Sequence, residues 1–140
     1  MSTEKLTEPA DAEPEIDPES LVPLPRLAFQ VLLALAKSDS HGYAIAKEVE
    51  RNTDGRTKLS TGSLYLSMEK LHAQALIEES GRPAGNDDAR RRYFRITPLG
   101  RRVARAETER LLHLVNLARE RDLLSDGAGF PASGEAEAQG

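Results

Sequence analysis

Apolar residues recur every three or four positions in several stretches of the chain, the spacing of helices that pack one face on a core. The first stretch, PLPRLAFQVLLALAKS, opens with prolines that suit a helix start and continues with an almost unbroken apolar face. The second, YAIAKEVERNTDG, pairs an apolar face with a charged one and ends at turn-forming residues. These two stretches predict the first two helices.

A third helix is predicted for the stretch STGSLYLSMEKLHAQA, with Ser60 or Thr61 as its N-cap. Its apolar stripe consists of four residues: Leu64, Met68, Leu71 and Ala75. Tyr65 lies about 100° round the helix from this stripe, beside small hydroxyl residues. This placement favours a helix end that contacts another molecule. The alternative is that Tyr65 folds back onto the first helix and its hydroxyl is only solvated.

After the third helix the pattern changes to short strands. LIEES and RRYFRIT are joined by the loop GRPAGNDDAR, and in the second strand Phe94 and Ile96 alternate with Tyr93 and Arg95. Two strands joined by a loop directly after three helices predict a wing. Thr97-Pro98 then supplies an N-cap and a proline for the start of a long fourth helix.

The fourth helix carries more apolar surface than a three-helix core can cover, which predicts a partner helix from a second copy. The residues expected to form that contact are Leu111, Leu114, Val115 and Leu117. The predicted fold is mainly α with a two-stranded β wing: a winged helix-turn-helix followed by a C-terminal dimerisation helix. The expected boundaries are a disordered acidic tail at 1–22, the winged domain at 23–97, the dimerisation helix at 98–124 and a disordered tail at 125–140.

The 140 residues have a net charge of -4, but the charge is unevenly distributed. Residues 1–20 carry seven acidic residues and one lysine, and residues 126–140 carry three acidic residues and no base. Residues 21–125 hold eighteen Lys and Arg against thirteen Asp and Glu. The middle is therefore a basic domain between acidic tails. We expect the tails to suppress non-specific polyanion binding, and the alternative is that they only keep the protein soluble.

The composition also limits which cellular compartment and which kinds of catalytic or metal site are expected. The absence of cysteine excludes disulfides and thiolate metal sites and leaves the redox compartment open. The chain has no apolar run of the ~20 residues that a membrane helix needs and no secretory signal pattern, so a cytoplasmic protein without membrane contact is expected by default. His41, His72 and His113 lack carboxylates at ligand spacing, and His41 is expected to open the second helix. No phosphate loop or catalytic triad is visible. The expectation is a protein that is not an enzyme and has no metal or cofactor.

Three blocks in order and spacing, HGYAIAKEVE, GSLYLSMEKLHAQALI and RRYFRITPLGRR, resemble the PadR family of bacterial transcriptional regulators across roughly residues 25–105. The resemblance implies a winged helix-turn-helix that dimerises through its C-terminal helix and usually represses transcription. This chain departs from the family pattern at Leu66, Ala75 and Glu69, where proline, glycine and a basic residue are common. It resembles the short subgroup that lacks a long C-terminal domain.

In a helix-turn-helix the second helix of the motif enters the major groove with its N-terminus first. The candidate reading face is Ser60, Thr61, Gly62, Ser63, Tyr65 and Lys70. Four arginines of the wing are candidates for phosphate contact: Arg82, Arg90, Arg91 and Arg92. The alternative for the arginines is a solvated charge run that Asp87 and Asp88 partly neutralise.

The expected function is a sequence-specific regulator, most simply a repressor, that binds double-stranded DNA at an inverted-repeat operator as a homodimer. The rival hypothesis is a winged-helix protein interaction module without specific DNA binding, for which Glu69 and the acidic total charge give mild support. The sequence leaves open whether a small-molecule effector exists.

Overall fold

The computed structural model describes residues 16–81 and 91–125. After a short 3-10 helix at Pro18–Leu21, the elements in chain order are α1 (Arg26–Lys37), β1 (Ser40–His41), α2 (Gly42–Asn52), α3 (Thr61–Ala73), β2 (Ile77–Ser80), β3 (Tyr93–Ile96) and α4 (Pro98–Glu120). The fold is mostly helical with a small antiparallel sheet, which confirms the predicted fold class. The predicted tails at 1–15 and 126–140 and the loop at 82–90 lie outside the described residues.

The core lies where the first three helices meet the sheet and the start of α4. Val31 and Leu32 of α1 and Ile45 and Val49 of α2 are fully buried, as the helical spacing predicts. His41 begins α2, as expected, because its Nδ1 accepts the backbone N–H of Ala44 at 3.4 Å. The apolar stripes of the two predicted helices thus form most of one wall of the core.

The C-terminus of α3 differs from the prediction, because the helix ends at Ala73 and Ala75 is exposed rather than part of the apolar stripe. Ala75 has a φ of 63°, in the left-handed region. Its N–H bonds the carbonyl of His72, and the N–H of Leu76 bonds the carbonyl of Leu71 at 2.9 Å, which is the Schellman pattern. Leu76 is fully buried and takes the core position that was predicted for Ala75.

The sheet contains a strand that the hydrophobic pattern does not predict. β3 is central and pairs antiparallel with β2 on one side and with the two-residue β1 on the other. His41 of β1 lies opposite Tyr93 and packs edge-on against its ring, 5.0 Å between centroids. Tyr93 is consequently buried, which strand alternation alone does not predict.

Thr97 begins α4 and joins it to the end of α3. Its Oγ1 accepts the N–H of Gly100 at 2.9 Å and donates to the carbonyl of Ala75 at 2.7 Å, which confirms the predicted N-cap. A Cβ at residue 100 would lie 2.1 Å from the carbonyl oxygen of Leu76, so only glycine permits this approach. The chain divides into two compact units between Glu107 and Thr108, a point inside α4.

The segment before α1 is ordered over part of the range predicted as a tail. Asp17 caps the 3-10 helix by accepting the N–H of Glu19, and Leu21 and Val22 pack against the core. Leu24 is buried, and its N–H donates to the carboxylate of Glu107 at 3.3 Å. The boundary expected at residue 22 therefore falls within structured chain, and we refer to residues 18–25 as the strap.

Candidate nucleic-acid interface

The first turn of α3 presents small hydroxyl side chains on the surface. Ser60 is the N-cap, and its Oγ accepts the N–H of Ser63 at 3.1 Å and donates to the Ser63 Oγ at 3.0 Å. Ser60, Thr61, Gly62 and Ser63 are all exposed. The remaining N–H groups of this turn, together with the helix dipole, give the helix end a positive potential that suits a phosphate or a base acceptor.

Gly62 is not required by the packing of the protein itself. Apart from the two neighbouring residues and the backbone of its own helix, no atom of the described residues lies within 4 Å of the position that a Cβ at residue 62 would occupy. A glycine in the first turn of a helix is also less favourable than alanine, because it loses more backbone entropy on folding. A close approach by another molecule would give this glycine a role that its own fold does not.

Tyr65 does not fold back onto α1; it reaches across to the start of α2. A Cβ added to Gly42 would lie 2.6 Å from the Tyr65 hydroxyl oxygen, so residue 42 must be glycine for the ring to occupy this place. The side chain is nevertheless 45% exposed. Tyr65 thus packs closely against the first turn of α2 while a large part of the residue stays exposed.

The outward face of α3 is mixed in chemistry. Leu66 is 55% exposed, and Glu69 and Lys70 are exposed on the same side of the helix. These three side chains lie opposite the buried stripe formed by Leu64 and Met68. The face therefore carries one cation, one anion and one apolar group, a less positive surface than a helix selected only for phosphate contact.

The wing arginines that the structure describes are engaged within the chain. Arg92 forms an ion pair with Glu79 of β2, and its guanidinium lies 5.2 Å from the centre of the Phe94 ring. Arg91 contacts the Nε2 of His41 at 3.0 Å. Both arginines are exposed, so a phosphate would have to exchange with these intrachain partners. Arg82 and Arg90 lie outside the described residues.

A second ion pair, between Arg95 and Glu78, offsets the charge of another wing arginine. Arg95 of β3 donates to the carboxylate of Glu78 at 2.7 Å, and this hydrogen bond raises the pKa of the Arg95 guanidinium above its ordinary value. Residues 78 and 95 are direct cross-strand partners. The two glutamates of β2 thus offset the charges of Arg92, just before β3, and of Arg95 within it, an effect that the run of arginines in the sequence does not indicate.

In the unit that begins at Thr108, the second half of α4 exposes apolar side chains. Leu112 and Leu114 are each 47% exposed and Val115 is 36% exposed. Leu111 and Leu117 are half-buried. A surface of this composition on one helix is typical of an interface with another chain.

A groove beside α3 is a feature that the sequence patterns do not identify. It has a volume of about 710 Å³ and lies between the strap, the start of α1 and one flank of α3. Its α3 wall includes Ser63, Leu66 and Lys70, which belong to the candidate reading face or lie next to it. The apolar spacing of Leu21, Val22 and Leu24 was the available signal, but the acidic residues before it directed the interpretation towards disorder.

The described residues, 16–81 and 91–125, contain no group of three or more His, Cys, Asp or Glu side chains that could hold a metal ion. Within the same ranges, no helix has the length and apolarity needed to cross a membrane.

Residues 31–106, more than half of the chain, match the model of the Transcriptional regulator PadR-like family. A crystal structure of a PadR family transcription regulator from Clostridium difficile R20291 covers 69% of this chain and 97% of its own, with a TM-score of 0.59 and 22% identity. At that identity the likeness shows the fold alone, and it agrees with the winged helix described above.

Two curated relatives match parts of the chain. Transcriptional regulator YqjI from Escherichia coli K12 is 38% identical over 58 residues, which are 39% of this chain and 28% of that protein. An uncharacterized 37.1 kDa protein in transposon TN4556 of Streptomyces fradiae is 37% identical over 84 residues, 60% of this chain and 22% of that protein. The chain therefore spans less than a third of the length of either relative.

Proposed function

Because the chain belongs to the PadR-like family of transcriptional regulators, we propose that it binds double-stranded DNA as a homodimer and represses transcription from an inverted-repeat operator in the cytoplasm. The observation that supports this proposal best is the first turn of α3, where exposed hydroxyls, free backbone donors and an unobstructed glycine share one helix end. In a helix-turn-helix this is the end that enters the major groove.

Within the proposed interface the residues divide into readers and anchors. Ser63, Tyr65 and Lys70 are the proposed readers, because all three are exposed on α3 and carry groups that can hydrogen-bond to base edges. Ser60, Thr61 and the backbone at Gly62 are the proposed anchors to phosphate at the helix N-terminus. The wing arginines would add phosphate contacts and little sequence preference.

Arg91 and Arg92 would each exchange an intrachain contact for a phosphate. Arg92 would give up the carboxylate of Glu79, and losing this ion pair offsets part of the free energy gained from the phosphate. Arg91 would give up its contact with the His41 ring. Arg82 and Arg90 stay in the proposal on their sequence alone.

The proposed dimer contact uses Leu111, Leu114, Val115 and Leu117. Their exposure on the part of α4 that follows Glu107 supports this assignment. We propose that residues 23–97 bind DNA and residues 98–124 dimerise, with the first turns of α4 also completing the core. A symmetric dimer would favour half-sites with centres about 34–36 Å apart or a multiple of a helical turn.

Substitution of Gly62 by alanine tests the proposal, because stability and DNA binding should change in opposite directions. Apart from its neighbouring residues and its own helix backbone the added methyl meets no described atom, and alanine suits a helix better than glycine, so the free energy of unfolding should rise slightly. If the backbone at residue 62 approaches DNA closely, affinity should fall on specific and random duplexes alike. Operator sequences selected from a random duplex library provide the specific DNA, and fluorescence anisotropy provides the affinities.

Ser63→Ala is the companion variant. It keeps the capping bond in which the backbone N–H of residue 63 donates to the Ser60 Oγ, and it loses the exposed hydroxyl together with the hydrogen bond that this hydroxyl accepts from Ser60. Loss of a base contact should cost about 1–3 kcal/mol on the selected sequence and little on random DNA. Ser38→Ala is the matched control, because Ser38 is an exposed serine at the C-terminal end of α1 and is not one of the proposed DNA-contacting residues.

A salt titration on random duplex separates this proposal from the rival function, a protein interaction module. Phosphate contacts give a log-log slope of about -0.9 per neutralised phosphate. The exposed carboxylate of Glu69 on the outward face of α3 favours the rival. Absence of measurable binding at low salt would reject the DNA proposal and leave the rival standing.

A further inference from the structure

We propose that the groove between the strap and α3 binds a small aliphatic carboxylate, and that its occupancy opposes DNA binding. The first half of this proposal stands on the groove itself, and the second half rests on the proposed function. The volume of about 710 Å³ lies within the roughly 300–1,000 Å³ that ligand pockets span. Nothing in the helix-turn-helix motif requires such a groove.

The walls of the groove favour an aliphatic body. The strap contributes Leu21 and Val22, α1 contributes Leu27, and α3 contributes Leu66 and Leu71. No Phe, Tyr or Trp is among the lining residues, so a flat aromatic ring would find no stacking partner. A flexible hydrocarbon chain fits walls of branched aliphatic side chains better than a planar ring does.

The polar groups of the groove favour a carboxylate as the head group. Lys70 is the single charged residue among those that line it, and no Asp or Glu opposes it there. Ser67 and Gln74 line the groove from positions three before and four after Lys70, so the three side chains share one side of α3. An ammonium and two neutral donors on one face form a recognition site for a carboxylate at the end of an apolar chain.

Occupancy of the groove would compete with DNA, because two of its lining residues are proposed readers. A carboxylate bound to Lys70 makes that ammonium unavailable to DNA on the candidate reading face. The hydrocarbon chain of the ligand, lying along Ser63, hinders the approach of a base edge. The opposite wall is held in place where the Leu24 N–H donates to Glu107. The ligand thus meets a fixed strap on one side and the recognition helix on the other.

Direct binding is tested first, without DNA. Decanoate, kept below its critical micelle concentration, should shift the amide resonances of Ser63, Ser67 and Lys70 in a ¹⁵N-labelled full-length chain. Decanol, which lacks the carboxylate, should bind at least about tenfold more weakly. Lys70→Gln should remove that preference for decanoate, and Lys47→Gln on α2 should leave it unchanged. Equal affinity for decanol, or shifts confined to the exposed leucines of α4, would overturn the proposed site.

Competition is tested second, by anisotropy on the selected operator. Decanoate should release wild-type protein from DNA, whereas Leu21→Trp, which fills the groove, should retain DNA binding and lose the response. Leu33→Trp places the same ring at an exposed position of α1 that does not line the groove, and it should respond as wild type does. Resonance shifts without release from DNA would reject the competition and keep the site.

If the protein binds no DNA in the absence of decanoate, the proposed function is wrong. The resonance shifts would still show whether decanoate binds in the groove. If Leu21→Trp fails to fold, Val22→Phe places a smaller ring in the groove from the same wall, and its response to decanoate is compared with that of Leu33→Trp.

Discussion

The two halves of α4 have the same amphipathic character in sequence and opposite surroundings in the structure. In the first half Val103 is fully buried and Ala106 is 7% exposed, both packed within the unit that ends at Glu107. In the second half Leu112 and Leu114 remain 47% exposed. One helix thus passes from a segment that completes its own domain to a segment whose apolar side chains stay partly exposed within the described residues.

This contrast shows what an amphipathic pattern determines and what it leaves open. The pattern specifies that a helix has an apolar face. That face must be covered, because the intrinsic propensity of a helix is rarely enough to keep it folded in water. It does not specify whose residues cover that face. For Val103 the cover comes from earlier elements of the same chain, and for Leu114 we propose that it comes from a second copy.

The largest expected effect comes from a cavity in the first region. Leu32→Ala removes a fully buried side chain and should lower the free energy of unfolding by about 2–5 kcal/mol. Leu114→Ala should instead weaken association and change the unfolding midpoint mainly when the protein is dilute. Urea unfolding at two protein concentrations separates the two. A comparable loss from both variants at every concentration would remove the contrast between the regions.

Glu107 should give the next largest effect, because it stands at the boundary of the two regions and is only 2% exposed. Glu107→Ala leaves the buried Leu24 N–H without its carboxylate acceptor and should cost about 1–3 kcal/mol. Glu107→Gln keeps an acceptor oxygen at that place and should cost less. If both variants unfold like wild type in urea, the bond does not hold the strap.

Ala75 and Ala73 form a matched pair with opposite expected signs. Ala75→Gly should raise the free energy of unfolding by about 1 kcal/mol, because the left-handed φ of 63° is strained for alanine and free for glycine. Ala73→Gly, at the last helical residue, should lower it by about 0.5–1 kcal/mol. Thermal unfolding by circular dichroism compares them. A stability loss in both would mean that residue 75 is not left-handed in solution.

Glu48 should give the smallest effect, and it depends on pH. The guanidinium of Arg51, with help from Lys37, lowers the pKa of the Glu48 carboxyl below its ordinary value of 4.5. Its contribution is therefore complete above about pH 4.5 and is lost as pH falls through the lowered pKa. Glu48→Gln should reduce the difference in stability between pH 7 and acid, and Glu69→Gln is the control. A larger difference in the Glu48 variant would contradict the sign.

Much of the domain could be predicted from sequence, because helical spacing, Thr97-Pro98 and the third-helix cap act through neighbouring residues. The burial of Tyr93 could not be predicted, since it depends on pairing with His41, 52 residues earlier, in a two-residue strand whose sequence carries no alternation. The partners of Arg92 and Arg95 likewise depend on strand register. The end of α3 was misplaced because alanine at residue 75 gives no sign of a left-handed turn, where glycine would have.

The candidate interface was predictable in composition and less so in geometry. The exposed hydroxyls of α3 follow from the pattern of Leu64 and Met68, which fixes the opposite face. The packing of Tyr65 on Gly42 and the groove beside Lys70 depend on how separate segments meet. Local sequence rules cannot supply those contacts.

Sedimentation equilibrium of the full-length chain tests the central claim, that the second half of α4 is covered by another copy. The wild-type protein should have twice the chain mass at micromolar concentration. The double variant Leu114→Glu and Val115→Glu should have the mass of one chain and an unchanged circular dichroism signal from the first region, because like charges would then face each other across the contact. A wild-type protein with the mass of a single chain, or a double variant that stays dimeric, would contradict the account.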